Sequence, residues 1–207
     1  MGLDMYGSGK RSAGPAYRSG NRYLSSAKRA AARERAGFAN ARAPAICNDG
    51  VMAITYVIGD ATAPGGRGPG VIAHVCNDSG GWGKGFVLAI SRRWQEPEAA
   101  YRRWARSGRE FGLGMVQLVK VEDHLCVANM VAQHGYVSPA NPVAIRYDAL
   151  AQCLSELAGR TGEGTIIHMP RIGCGLAGGS WDQIEPLLEE HLAMAGFGVR
   201  VYDLPKP

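Results

Sequence analysis

The sequence predicts a layered α/β domain with a largely parallel central sheet, and three observations predict it. Short β-type apolar runs alternate with helical patterns from Met52 to Leu204, the order that lays helices over a parallel sheet. Two glycine-rich turns, HVCNDSGGWGKG at His74 to Gly85 and MPRIGCGLAGG at Met169 to Gly179, each stand directly behind such a run. A basic arm poor in large aliphatic residues, residues 1–50, stands apart from this pattern.

In chain order, Val51 to Ile58 (VMAITYVI) and Gly70 to Cys76 (GVIAHVC) read as strands, with the turn-rich APGGRGPG between them. Phe86 to Arg93 and Pro97 to Ser107 read as helices, the second with Pro97 in a first turn where its missing N–H costs nothing. Met115 to Val121 and His124 to Met130 read as two strands joined by a tight turn. Tyr147 to Arg160 places Leu150, Leu154 and Leu157 on one helical face. Thr165 to Met169 is a further strand. Ser180 is expected to cap a helix bearing Ile184, Leu187, Leu188 and Leu192, with Gln183 completing a capping box. Val199 to Leu204 closes the sheet. Within the arm, Ser25 to Ala36 has the composition for one helix.

Composition narrows the classes. At 207 residues and 46% hydrophobic content the chain suits one domain plus an appendage, split at residues 1–50 and 51–207. No apolar run approaches the roughly 20 residues that span a bilayer, so a soluble protein without a membrane partner is expected. Cys47, Cys76, Cys126, Cys153 and Cys174 are odd in number and include no CxxC pair, which argues against a disulfide framework and a zinc knuckle and for a reducing, cytoplasmic setting. Residues 1–50 carry nine lysines and arginines against three acids, and residues 51–207 carry 14 against 15. The basic excess therefore belongs to the arm. It reads as a solvated tail, with contact to a nucleic acid or protein partner, or a targeting role, as the alternatives.

Ligands of open α/β sheets bind outside the carboxyl ends of the strands. Both glycine turns start at such ends, so they are expected to share one crevice. Glycine lets several backbone N–H groups approach one anion, and a helix start behind each turn adds its positive end. Together they suggest a diphosphate cradle, against the alternative that they are ordinary turns in a chain of 29 glycines.

The segments ITYVIGDA, HVCNDSGGWGKGFVLAIS, MPRIGCGLAGGSW and RVYDL resemble those of the macrodomain, the ADP-ribose-binding three-layer α/β/α module, over about residues 52–205. Within that family they are similar to the yeast ADP-ribose 1″-phosphate phosphatase type and to the terminal ADP-ribose protein glycohydrolase branch. The resemblance implies that Asp60 accepts a hydrogen bond from the adenine amino group beside the Ala61 N–H. It implies that Gly83, Lys84, Gly85 and Phe86 form a first phosphate loop near the distal ribose. Gly173, Cys174, Gly175, Leu176, Ala177 and Gly178 form the second, around the diphosphate, and Tyr202 and Leu204 flank the adenine. Taken alone, Asp60 reads as a turn residue, Lys84 as a solvated cation, and Tyr202 and Leu204 as packed edge-strand residues.

His74 and Asn77 are the implied catalytic pair at the distal ribose. Imidazole titrates near neutrality and can serve a phosphomonoester as acid, base or nucleophile, and a carboxamide suits sugar hydroxyls or a terminal phosphate. The glycohydrolase branch uses a lysine nucleophile and an acidic partner where this chain has Val131 and Ala177, which argues against that covalent route. No cofactor and no metal are expected. His124, His168 and His191 read as structural or solvated, and His134 as a loop residue near the distal ribose. The expected activity is hydrolysis of ADP-ribose 1″-phosphate by a monomer, with an ADP-ribose reader or a hydrolase of ADP-ribosylated protein or nucleic acid as the alternative.

Overall fold

The computed structural model describes residues 54–66 and 68–205. The arm, its expected helix and residues 51–53 of the first expected strand lie outside the described residues. The elements run β1 (Ile54–Ile58), β2 (Gly70–Asn77), α1 (Phe86–Arg93), α2 (Glu96–Ser107), β3 (Val116–Glu122), β4 (Leu125–Gln133), α3 (Tyr147–Arg160), β5 (Ile166–Pro170), α4 (Trp181–Leu188) and β6 (Gly198–Asp203). They form one six-stranded sheet in the order β1-β6-β5-β2-β4-β3. Every pair is parallel except β3 against β4, which a tight turn makes antiparallel.

The pleat sends alternate residues of each strand to opposite faces. Val71 and Ala73 of β2 and Cys126, Ala128 and Met130 of β4 join one core with Leu150, Leu154 and Leu157 of α3 and Ile184 and Leu188 of α4. Ile72 and Cys76 of β2 and Leu125, Val127 and Val131 of β4 join a second core with Val87 and Ile90 of α1 and Tyr101 of α2. Three layers result, α/β/α. Truncating any of these fully buried leucines to alanine should cost about 2–5 kcal/mol.

Two expectations are corrected. Ser180 stands at the N-cap of α4 with extended backbone, yet its side chain makes no cap hydrogen bond and the capping box with Gln183 does not form. Its N–H donates instead to the Tyr147 hydroxyl at 3.1 Å, a tertiary partner. The helix bearing Leu192 is also not one helix, because Pro186 interrupts its bonding and Glu189–Ala193 continue as a π-helical turn. That turn leaves His191 half-buried, with Nδ1 3.0 Å from the Ser155 hydroxyl.

The pairing of β2 with β5 positions the site. It lasts for three residues, Gly70 to Ile72 against Ile166 to His168. Beyond them β2 stays with β4 and β5 with β6, and the two strands part. The chain leaves β2 toward α1 and α2 on one face and leaves β5 toward α4 on the other. This is the switch point at which an open sheet forms a crevice.

Candidate functional site

A cleft of about 640 Å³ opens there, with the first glycine turn and α1 on one side and the second glycine turn on the other. His74, Asn77, Gly83, Lys84, Gly85 and Phe86 line it from the β2 side, and Gly173, Gly175, Leu176 and Ala177 from the β5 side. The two turns nearly touch at Gly85, where a Cβ would lie 3.0 Å from Leu176 Cδ1. The shared crevice expected from the order of elements is present.

Backbone donors face this cleft from both sides. In the second turn the N–H groups of Gly178 and Gly179 are used internally, on the Gly175 and Gly173 carbonyls at 3.0 and 2.9 Å. Those of Gly175, Leu176 and Ala177 have no backbone acceptor among the described residues. On the other side Gly85, φ +85°, stands at the N-cap of α1 without a side-chain cap; Leu88 donates back to the Gly85 carbonyl at 3.1 Å, so the N–H groups of Phe86 and Val87 are left for a ligand. Convergent N–H groups at a helix start make an anion site. Lys84 is exposed beside them.

His74 lies in the floor of the cleft and is 2% exposed, edge-on to Trp82 with ring centroids 5.3 Å apart. Its Nε2 is 2.7 Å from Asn129 Oδ1. The Asn129 amide donates to the Pro97 carbonyl and to Gln117 Oε1, so its oxygen must face His74 and Nε2 is the protonated nitrogen. Burial pushes the imidazole pKa down to about 4, against the pull of Asn129 and the Val75 backbone. His74 is therefore a neutral imidazole of fixed tautomer at neutral pH. The Asn129–Gln117 support comes from β4 and β3, two strands away in sequence, and no local motif signals it.

Asn77 lines the cleft, and its carboxamide is bound within the first turn. Its Oδ1 accepts from the N–H of Ser79, the Ser79 hydroxyl and the N–H of Gly81, and its Nδ2 donates to the Gly81 carbonyl. The carboxamide thus holds the first turn in shape, and the Tyr101 hydroxyl donates to the Asn77 backbone carbonyl below it. Tyr202 is 7% exposed and its hydroxyl is 2.9 Å from Nδ1 of His168, a histidine that burial lowers to about 4. Leu204 is exposed beyond it.

Asp60 caps a turn after β1. Its Oδ1 accepts from the Thr62 N–H and hydroxyl at 2.8 Å each, with Ala61 buried beside it. Neither Asp60 nor Ala61 lines the cleft described above, and neither do Cys174 and Gly178. Cys174 packs against the core and Gly178 braces the turn. Val131 and Ala177, where a lysine and an acid would stand for the covalent route, are 0% and 5% exposed.

Three features escape the sequence reading. Tyr136 lines the cleft from the loop after β4, with its hydroxyl over Gly81. That loop is tied to the first turn through Asp78, whose oxygens meet His134 Nδ1 at 2.6 Å and the Gly135 N–H at 2.9 Å. Burial of Asp78 is outweighed by these bonds and its carboxyl stays below the usual range. Arg171, at the start of the second turn, pairs through two nitrogens with Asp203 and lies over the rings of Tyr56 and Trp181. Only tertiary proximity joins these residues.

Among the described residues no group of histidine, cysteine and acidic side chains could hold a metal. Among the described residues no helix is long and apolar enough to cross a membrane.

No protein-family model matches the chain. The curated ADP-ribose 1″-phosphate phosphatase of Lodderomyces elongisporus is 28% identical over 163 residues, 73% of this chain and 100% of that protein. The chromodomain-helicase-DNA-binding protein 1-like of Danio rerio is 35% identical over 162 residues, and there the match spans 15% of the relative's length. The solved structure of a macrodomain protein from Streptomyces coelicolor is 53% identical with a TM-score of 0.65, covering 73% of this chain and 99% of that one. With that identity across nearly the whole of a solved macrodomain protein, the chain belongs to the macrodomain family.

Proposed function

We propose that the cleft binds ADP-ribose, with the diphosphate between the two glycine turns, and that the domain hydrolyses ADP-ribose 1″-phosphate beside His74. The observation that carries the reading is the pair of free donor sets on the two walls of the cleft, one from Phe86 and Val87 at the start of α1 and one from Gly175 to Ala177, with a buried neutral imidazole in its floor. The similarity to the fungal phosphatase over its whole length supports the reaction class. In this reading the adenine reaches beyond the cleft to Asp60 and Ala61, with Tyr202 packed behind and Leu204 at the edge. Water attacks the terminal phosphorus while His74 accepts its proton, and His74 returns that proton to the departing ribose oxygen. The held ADP portion makes the attack an oriented step.

One observation favours a second reading, an ADP-ribose reader. The Asn77 carboxamide and His74 Nε2 are both spent on internal bonds, as in a pocket built to hold rather than to react.

The test is parallel incubation with ADP-ribose 1″-phosphate, ADP-ribosylated protein and ADP-ribosylated DNA, following phosphate and free ADP-ribose. Calorimetry should give micromolar binding of ADP-ribose, about −7 to −9 kcal/mol. Phosphate release is expected from the first substrate, falling about a hundredfold or more in His74→Ala, the low end for a lost acid or base. Because the imidazole titrates at about 4, activity should stay level as pH falls through the usual histidine range. Release of ADP-ribose from the protein or DNA alone would replace the phosphatase reading with the de-modifying one, and binding without turnover would leave the reader.

A further inference from the structure

The near balance of charge outside the arm conceals a segregation. Between Lys84 and Arg109 the chain carries seven lysines and arginines against two glutamates, while the rest of residues 51–207 carries seven against 13. The helices α1 and α2 concentrate the positive half. Arg92 and Arg93 stand in the last turn of α1, and Arg102, Arg103 and Arg106 follow at helical spacing on α2, with Arg109 just beyond its end. Five of the six are exposed, and Arg102 is partly so. Arg102 pairs with Glu98 at 2.8 Å. The other five have no carboxylate within ion-pair distance among the described residues.

The helix dipole accounts for one cation in each last turn. It does not account for six arginines in so short a stretch with so little counter-charge, an arrangement whose self-repulsion an anionic partner would relieve. The face also adjoins the cleft. A Cβ at Gly80 in the first turn would lie 3.0 Å from Ala105 Cβ on α2, and Arg102 Nη2 donates to the Trp82 carbonyl at 2.9 Å.

We infer that the α1–α2 face is a docking surface for single-stranded nucleic acid, running along α2 toward the mouth of the cleft. The cations are all arginine apart from Lys84, and the guanidinium fork matches phosphate oxygens in a way an ammonium does not. Two half-buried tryptophans stand among them. Arg93 lies over the Trp94 ring at 5.9 Å, and Trp104 is fixed by its Nε1–H on the Arg109 carbonyl and by an edge contact with Phe111. Arginines interleaved with held aromatic rings are what a flexible strand with exposed bases takes, through phosphate pairing and stacking together. An acidic polypeptide offers the charge without the bases. This surface uses no residue of the arm and stands whether the cleft turns over its ligand or only holds it.

The test uses the full chain and a fluorescent oligodeoxythymidylate, with anisotropy followed across a salt series. The variant Arg103→Gln/Arg106→Gln/Arg109→Gln should bind at least about tenfold more weakly and lower the slope of log K against log salt by about 2, near 0.7 for each lost single-strand phosphate contact. An arm variant, Arg29→Gln/Arg33→Gln/Arg35→Gln, should have the smaller effect. The three substituted side chains are exposed, so thermal melting should be unchanged, and Arg103→Lys/Arg106→Lys/Arg109→Lys should restore most of the salt slope. Unchanged affinity and slope in the glutamine variant would overturn the inference, as would loss confined to the arm variant. Equal displacement of the strand by charge-matched polyglutamate would assign the face to acidic protein instead, and equal affinity for a duplex of the same length would overturn the single-stranded assignment.

Discussion

The two glycine turns face each other across one cleft and are held in shape by opposite means. The first, over residues 78–85, is built around a side chain: the Asn77 carboxamide gathers Ser79 and Gly81, and Asp78 and Tyr136 tie it to the loop after β4. The second, over residues 172–179, is built by backbone on backbone, with Gly173 and Ala177 carbonyls accepting from Gly179, Ala144 and Ile145. The glycines accordingly do different work. In the second turn Gly178 and Gly179 are there because backbone packs where a Cβ would be, whereas in the first Gly81 makes way for the Tyr136 hydroxyl, and Gly83 and Gly175 stand in open space.

The largest test of that contrast is Gly178→Ala. Gly178 has φ +71° and its Cβ would stand 2.6 Å from the Pro142 carbonyl oxygen, a backbone atom that cannot swing aside. Left-handed strain of 1–2 kcal/mol with a steric clash added should lower stability by about 2–4 kcal/mol, read from the denaturant midpoint at unchanged slope. A loss below the strain alone would mean that the second turn is as pliable as the first.

Asn77→Ala comes next. It removes the acceptor of two backbone N–H groups and the donor to Gly81 at a site 7% exposed, so about 1–3 kcal/mol should be lost. The first turn should also become protease-sensitive while the second keeps its amide protection in hydrogen exchange. Protection lost equally in both would show that the turns stand or fall as one unit. The smallest effect is expected at Gly83, whose Cβ meets nothing within 4 Å and whose φ is not in the left-handed region. Gly83→Ala should shift stability by less than about 0.5 kcal/mol, as surface changes away from special features do. If it also weakens ADP-ribose, the empty space belongs to the ligand.

The same contrast separates what could be read in the chain from what could not. Helix α3 begins and ends where its leucine spacing and flanking residues say, since its apolar face alone decides it. Strand β4 runs to Gln133, three residues past the expected Met130, because pairing with β2 carries it on. The glycine turns were legible as a pair, and so was their shared crevice, since topology fixes which strand ends meet. The role of Asn77 as a loop-builder, the Asn129 support of His74 and the bridge of Tyr136 were not, because each joins residues whose nearness only the folded sheet creates. The arginine face was legible in the spacing of α2 but hidden by a total that summed to nearly zero.

The early parting of β2 and β5 has a thermodynamic meaning. After three paired residues the sheet forgoes further ladder bonds along this seam, so the opening is part of the folded frame and needs no hinge to appear. The ordering entropy of the crevice is spent when the chain folds, ahead of any encounter, and a ligand entering it has only its own freedom and the surrounding side chains to immobilise. Binding should then proceed with little change in backbone hydrogen exchange across β2 and β5 and a heat-capacity change set by the ligand's own buried surface.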